Sequence, residues 1–301
     1  MTGTQALADR FEEHRGQLKA VAYRMLGSLA EADDAVQEAW LRLSRTDAGE
    51  IQNLGGWLTT VTGRICLDLL RSRSARREEP MGEDLTTFVP DPVLRPLPQD
   101  DPEEQAMRAD SVGLAMLVVL EALDPAERLA FVLHDMFAVP FDDIAPIVER
   151  TSAATRQLAS RARRRVRGAA PAADPDLGRQ KQVLDAFLAA SRAGDFEALL
   201  AVLHPDVVLR ADSGVLVRGV AASRALQGAK RVAEQALMFA RFMEVEARLV
   251  LVNGAVGVVN APQGRPLSVM GVTIADGRIT GMYILADPER LERLDLPDVA
   301  G

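Results

Sequence analysis

Apolar residues recur at helical spacing through the first half of the chain, and in short β-branched runs through its last third. Leu18, Val21, Ala22, Met25 and Leu26 share one face, which predicts a helix from about Leu7 to Leu26 ended by Gly27. Ser28 followed by Glu31 has the form of a capping box and opens a second helix to about Leu43, with Val36, Trp40 and Leu43 inward. From Leu54 on, Trp57, Val61, Ile65 and Leu69 repeat every four residues, widened by Leu58 and Leu70, and predict a third long helix. Its other side carries Thr60, Arg64, Asp68 and Arg71.

Further along, LEALDPAERLAFVLHDMF predicts a helix to about Glu121 and another after Asp124-Pro125, burying Leu129, Val132, Leu133 and Met136. FDDIAPIV is apolar at Phe141, Ile144 and Ile147. Glu149-Arg150 makes a turn, and Thr151 can cap a helix from Ser152 to about Arg167, which together have helix-turn-helix spacing. On that last helix Arg156, Ser160, Arg163 and Arg167 fall on one side and Ala154, Leu158 and Ala162 on the other.

Two breaks divide the chain. Pro80 to Pro102 is rich in proline and acid and cannot hold a helix or a central strand. Gly168 to Gly178 loses all periodicity. The expected modules are 1–79, an acidic linker 80–106, 107–168, a short linker 169–176, and 177–301. In the last, Val183, Leu184, Phe187 and Leu188, then Phe196, Leu199, Leu200 and Leu203, predict two helices split at Gly194-Asp195. Strand-like runs follow (VVLRA, VLV, VEARLVLV, AVGVVNA, PLSVMGVTIA, ITGMYIL), with turns at Asn253-Gly254 and Asp276-Gly277. A helix from about Val220 to Arg241 is expected between the second and third. Helices followed by a curved antiparallel sheet predict an α+β cone, and such cones often enclose a pocket.

Composition narrows the function. At 301 residues, 48% apolar and 26% charged, the chain suits two or three globular domains. The single cysteine, Cys66, excludes an internal disulfide or a multi-cysteine zinc site, and neither a metal nor a cofactor is expected. MTGTQALADRFEEHRG has no apolar core of signal-peptide length and no run matches a membrane span, so a cytoplasmic protein without membrane contact is expected. A net charge of −8 argues against a free-standing nucleic-acid binder. Yet Arg71, Arg73, Arg76 and Arg77 form one basic cluster, and Arg156, Arg161, Arg163, Arg164, Arg165 and Arg167 a denser one. Asp33, Asp34, Gln37 and Glu38 crowd one helix face with like charge, at a cost of a few tenths of a kcal/mol unless a basic partner covers it.

DDAVQEAWLRL, WLTTVTGRICLDLLRSRSARRE, LDPAERLAFVLHDMF and SAATRQLASRARRRVRG, in that order, resemble the region-2 and region-4 motifs of extracytoplasmic-function (ECF) RNA polymerase sigma factors. The Pro-rich linker followed by DPEEQ, with the extra C-terminal domain, resembles the SigJ-like subgroup that carries a SnoaL-like extension. The resemblance covers nearly the whole chain. It implies a multidomain fold: two all-α sigma domains (a region 2 helical bundle and a region 4 helix-turn-helix) and a C-terminal α+β SnoaL-like cone. It implies core RNA polymerase (β′ clamp helices and β flap) and promoter DNA as partners, which resolves the charge contradiction, because polymerase presents the chain to DNA.

By the same resemblance, Asp33, Asp34, Gln37 and Glu38 dock on the β′ clamp helices. Trp57, Thr60, Arg64, Asp68 and Arg71 face the minus-ten element, where an unstacked base and a single-strand backbone must be held. Arg64 stands where many relatives have Asn. Ser152, Thr155, Arg156, Ser160, Arg161 and Arg164 face the minus-thirty-five duplex. The linker lies in the polymerase cleft. In the cone, His204, Arg210 and Asp212 are candidate pocket residues. Asp212 is the best placed for acid-base work, although Asp-Ser-Gly also reads as a plain turn and His204 as a loop residue. The leading expectation is a non-enzymatic sigma factor tuned in cis by its cone, with an unidentified small molecule as a candidate ligand. The alternative is a sigma-fused isomerase or cyclase. A dimeric helix-turn-helix repressor is disfavoured by the acidic balance.

Overall fold

The computed structural model describes residues 3–46, 51–77, 87–97, 112–169, 173–214, 223–242 and 246–297. Within them the chain forms two units, Met1–Gly82 with Val119–Ala169, and Glu83–Val118 with Ala170–Gly301. The expected strand VLV and the motif DPEEQ lie outside the described residues, as do 80–86 and 98–106 of the expected linker.

The first unit is helical. Helices α1 (Gly3–Leu26), α2 (Leu29–Ser44) and α3 (Leu54–Arg77) pack on one another. Phe11, Leu18, Val36, Leu43, Leu54 and Leu58 form their core, and Trp40 tilts against Phe11 with ring centroids 5.1 Å apart. Ser28 caps α2 by accepting from the Glu31 amide at 3.5 Å. On α3 the expected every-fourth row runs along the border of the buried face, one position short of its middle. Ile65 is buried, Trp57 and Val61 are half-buried, and Leu69 is exposed, while Leu58, Thr62, Cys66 and Leu70 take the inner stripe.

Helix α4 (Leu114–Glu121) contains the boundary between the two units. In the first unit follow α5 (Pro125–Phe131), which widens to a π turn over Val132–Met136, α6 (Phe141–Val148) and α7 (Ser152–Ala169). Asp124 caps α5 through the Ala126 amide at 2.9 Å. Glu149 takes a left-handed conformation at the end of α6, and Thr151 caps α7 by accepting from the Ala154 amide at 3.2 Å. Arg128 is 1% exposed and pairs with Glu121 at 2.7 Å. Burial pushes the guanidinium below its ordinary pKa, and the Glu121 carboxylate holds it charged.

The second unit is α+β. Helices α8 (Leu177–Ala193) and α9 (Phe196–Val202) are separated by Gly194 at φ +73 and by Asp195, which caps α9 through the Ala198 amide at 3.0 Å. The described strands are β1 (Leu94–Arg95), β2 (Leu203–Asp212), β3 (Arg224–Gln227), β4 (Ala247–Val252), β5 (Ala255–Asn260), β6 (Ser268–Ala275) and β7 (Arg278–Leu285), in the order β1-β4-β5-β6-β7-β2-β3. All pairings are antiparallel except β2 with β7. Asn253-Gly254 and Asp276-Gly277 have positive φ at both positions, as a type I′ hairpin turn requires. Helix α10 (Ala229–Phe242) crosses one face, and α11 (Pro288–Leu291) follows β7.

Two expectations are corrected here. The helix expected from about Val220 starts only at Ala229, because Arg224–Gln227 pairs with Val208–Ala211 as a strand and Gly228, at φ +97, turns into the helix. His204 is not a loop residue. It lies in β2, half-buried, and its Nδ1 accepts from the Asp206 amide at 3.1 Å. The linker segment also has more structure than proline suggested. Leu94 and Arg95 add an edge strand to β4, where proline-flanked chain is tolerated.

Candidate functional site

On α2, Asp33, Asp34 and Gln37 are exposed and Glu38 is half-buried. Lys19 meets Asp33 at 2.8 Å and Arg42 meets Glu38 at 2.9 Å. The face therefore keeps an acidic surface at Asp34, two turns from Leu41. Leu41 is 38% exposed, an outward apolar side chain on an otherwise amphipathic helix. Sequence reasoning passed over Leu41, whose only signal was its position one turn past Gln37.

On α3, Arg64, Asp68 and Arg71 are exposed, while Thr60 and Trp57 are half-buried. The row is thus held together on one side of the helix. Thr60 spends its hydroxyl on the Gly56 carbonyl at 2.9 Å. Arg64 donates from Nη2 to the Pro146 carbonyl of α6 at 3.3 Å. Beside it Gly63 lies against Leu129, Leu133 and Ile147; a Cβ there would stand 3.3 Å from Leu129 Cδ1 and 3.4 Å from Leu133 Cδ1. The helix-turn-helix elements thus cover one flank of the α3 row within this unit.

On α7, Arg156, Ser160, Arg161 and Arg164 are exposed. Arg156 lies over the Phe141 ring at 5.7 Å, Arg161 pairs with Glu127 at 3.2 Å, and Ser152 donates to Asp142 at 2.5 Å. Arg163 is tied to Asp135 at 2.5 Å and is half-buried. One residue of the expected set is misplaced. Thr155 is 0% exposed and donates to the Thr151 carbonyl at 3.0 Å, so it cannot touch a duplex in this conformation. The inner stripe of α7 is Thr155, Ala159, Ala162 and Val166, about one position away from the Ala154-Leu158-Ala162 row expected from polarity.

The cone encloses a cavity of about 410 Å³ between the sheet and helices α8 and α10, walled by side chains such as Phe187, Leu209, Phe239, Met270, Met282 and Ile284. The expected pocket residues do not line it. Strand side chains alternate between faces, and on β2 the cavity takes Leu209 and Ala211, with Ser213 just past its end, which puts Arg210 and Asp212 on the opposite face. His204 lies outside as well. Arg210 is in register with Tyr283, whose hydroxyl burial pushes to a higher pKa against the opposing pull of Arg210.

Asp212 is instead part of a clamp that sequence reasoning missed. Arg290 on α11 donates from Nη1 to Asp212 at 2.8 Å, from Nε to Asp91 at 2.7 Å, and from Nη2 to the Val89 carbonyl at 2.6 Å. Its guanidinium also stacks 4.9 Å from the Phe88 ring. Asp212 accepts from the Val89 amide at 3.2 Å and from the Gly214 amide at 3.2 Å. Farther along, the Asn253 side chain accepts from the Val93 amide at 2.9 Å and donates to the Val112 carbonyl at 2.9 Å. Segment 87–97 is therefore bound to the cone by its backbone and by a buried ionic knot. Asp287-Pro288 marks the start of α11 in the sequence, but nothing local distinguishes Arg290 from the other arginines. Gly214, at φ +72, turns the chain where a Cβ would stand 2.7 Å from Asp287 Oδ2, so Asp212-Ser213-Gly214 is a turn as well as an ion-pair partner.

No helix among the described residues is long and apolar enough to cross a membrane. The chain matches the Sigma-70 region 2 family over residues 10–76 and the Sigma-70 region 4 family over residues 114–166. It is 38% identical over 294 residues to the ECF RNA polymerase sigma factor SigJ of Mycobacterium tuberculosis, covering 93% of this chain and 91% of that one. It is 36% identical over 286 residues to the probable ECF RNA polymerase sigma factor SigI of the same species, covering 93% of each. The crystal structure of the M. tuberculosis SigJ protein matches with a TM-score of 0.71 at 34% identity, over 96% of this chain and 100% of that one.

Proposed function

Because the chain belongs to the ECF RNA polymerase sigma factors, a family of transcription initiation factors, we propose that its SnoaL-like cone regulates it in cis by holding the linker between the two sigma regions. The observation that carries this reading is the clamp of Arg290 on Asp91, Val89 and Asp212. A guanidinium has five donors in a fixed fork, and here the fork joins two carboxylates and a carbonyl at low exposure, where charge-assisted hydrogen bonds are strongest. While the clamp is closed, segment 87–97 is a strand and strap of the cone. It is then not free to run through the polymerase cleft.

In this reading the exposed α2 face with Asp33, Asp34, Gln37 and Glu38 meets the β′ clamp helices, with Leu41 adding apolar area. Trp57, Thr60, Arg64, Asp68 and Arg71 serve the minus-ten element. Ser152, Arg156, Ser160, Arg161 and Arg164 serve the minus-thirty-five duplex; Thr155 supports that helix from inside. The region 4 helices beside Gly63 and Arg64 must move off α3 before both promoter elements are engaged.

Run-off transcription with purified core polymerase tests the reading. Arg290→Gln opens the clamp and raises promoter-specific transcript several-fold over the unaltered chain. Unchanged open-complex yield would count against regulation through the cone. The enzyme alternative gains no support from the cavity, since among the described residues no Asp, Glu, His, Tyr or Cys lines it to move a proton.

A further inference from the structure

The cavity of the cone has the size of a small-molecule site, within the range of about 300–1,000 Å³. Its wall is mostly apolar. The charged side chains lining it are Arg192 and Arg224, and no acidic residue joins them among the described residues. Arg224 Nη1 donates to Gln235 Oε1 at 2.6 Å, which occupies the amide oxygen and leaves the Gln235 NH2 group as the donor that side chain offers to the cavity. Guanidinium and amide N–H groups at an apolar chamber favour an acceptor-rich, negatively charged head and reject a cationic one.

The same chamber touches the clamp through the backbone. Ser213, Ala286 and Pro288 line it. Ser213 follows Asp212 directly, and the Ala286 amide donates to the Asp212 carbonyl at 2.7 Å. Pro288 opens the short helix that carries Arg290. A body that fills this end of the cavity lies against chain segments adjoining both partners of the ion pair.

We infer that the cavity is a receptor site for an apolar monocarboxylate, its carboxylate held by Arg224 and Gln235 and its hydrocarbon body lying against Leu209, Met270 and Met282, and that its occupancy sets the strength of the Arg290 clamp. The second half of this inference rests on the cis-regulatory reading; the first half does not.

The test uses the full-length protein and titration calorimetry with decanoate and naphthoate as probes, and decanol as the uncharged counterpart of decanoate. At least one carboxylate binds saturably to one site, and decanol binds more weakly than decanoate by about tenfold or more, as loss of a charged hydrogen-bond partner dictates. Arg224→Gln weakens the carboxylate by a similar factor and Arg224→Lys by less, with melting temperatures compared to confirm folding. Absence of saturable binding for both carboxylates overturns the site, and so does decanol binding as well as decanoate. Coupling is read separately by hydrogen exchange of peptide 87–97: the bound carboxylate changes protection at Val89 and Val93, and Arg290→Gln abolishes that change. Binding without any change in exchange overturns the coupling alone, while the cis-regulatory reading stands or falls on the transcription of Arg290→Gln without ligand.

Discussion

Arg290 reaches Asp91 across 199 positions of chain and donates twice to one carboxylate oxygen, from Nε at 2.7 Å and from Nη2 at 2.5 Å. The Asp91 and Asp212 side chains are 9% and 12% exposed. Removing the cation strands two anions in poorly hydrated positions. Arg290→Gln is expected to destabilise the second unit by about 3–5 kcal/mol, the usual cost of breaking a buried pair from one side. Chymotrypsin, which cuts after Phe88 once the ring leaves the guanidinium, then cleaves the variant faster than the unaltered protein. Equal cleavage rates would show that the backbone bonds alone retain the strap.

The Arg128–Glu121 pair makes a parallel case in the first unit. Both side chains are buried, and the Arg128 Nε also donates to the Arg24 carbonyl at 3.2 Å. Glu121→Leu leaves the cation without its carboxylate and is expected to cost about 3–5 kcal/mol in urea unfolding. Adding Arg128→Met removes the orphaned charge and restores most of that loss.

How much of this was visible beforehand depends on the period of the pattern. The caps at Ser28, Asp124 and Thr151 and the hairpin turns Asn253-Gly254 and Asp276-Gly277 were legible because each is set by residues next to one another. Which side of α7 faces inward was not. Alanine, threonine and serine differ too little in polarity to mark a face, so Thr155 looked outward until Ala159, Ala162 and Val166 fixed the stripe. Arg290 was invisible for a different reason: its partners lie in another part of the chain, and pairing over that distance leaves no spacing to read. Asp212 was singled out as a candidate pocket carboxylate but lies on the other face of its strand, because without knowing which neighbours lined the chamber the two faces of β2 could not be told apart.

Thr155 and Arg164 should separate cleanly in promoter binding by the holoenzyme. Thr155→Val is expected to lower stability by about 1 kcal/mol through the lost bond to Thr151, with promoter preference unchanged. Arg164→Ala leaves stability near its starting value, weakens binding, and lowers the slope of log affinity against log salt by about 1 if it contacts phosphate. A relaxed sequence preference in Thr155→Val would mean that this side chain turns outward on DNA.

Cys66 gives a pH signature. Burial pushes its thiol up to about 12 from 9.0, so the unfolded chain releases the proton first. The stabilisation is complete below about pH 9 and falls as the pH rises toward 12, by at most about 1.4 kcal/mol per pH unit. Urea unfolding from pH 8 to 10.5 should show this decline, flattened in Cys66→Ala. At pH 8 the native thiol should react with a disulfide reagent only as fast as the unit opens.

Gly63 tests the packing of the region 4 helices on α3. Gly63→Leu cannot be accommodated against Leu129, Leu133 and Ile147 by side-chain shifts alone. It is expected to spread α3 from α5 and α6, seen as a larger radius of gyration in X-ray scattering, while α3 keeps its helical signal.

Segment 87–97 leaves the ribosome long before the residues that hold it. With 199 positions between Asp91 and Arg290, synthesis at about 5–20 residues per second leaves a gap of roughly 10–40 s. For roughly the last 6–24 s of that interval, once residue 168 has been made, the nascent polypeptide carries both sigma regions and an unfastened strap. On the cis-regulatory reading proposed above, a newborn molecule competes for polymerase before that restraint has been made.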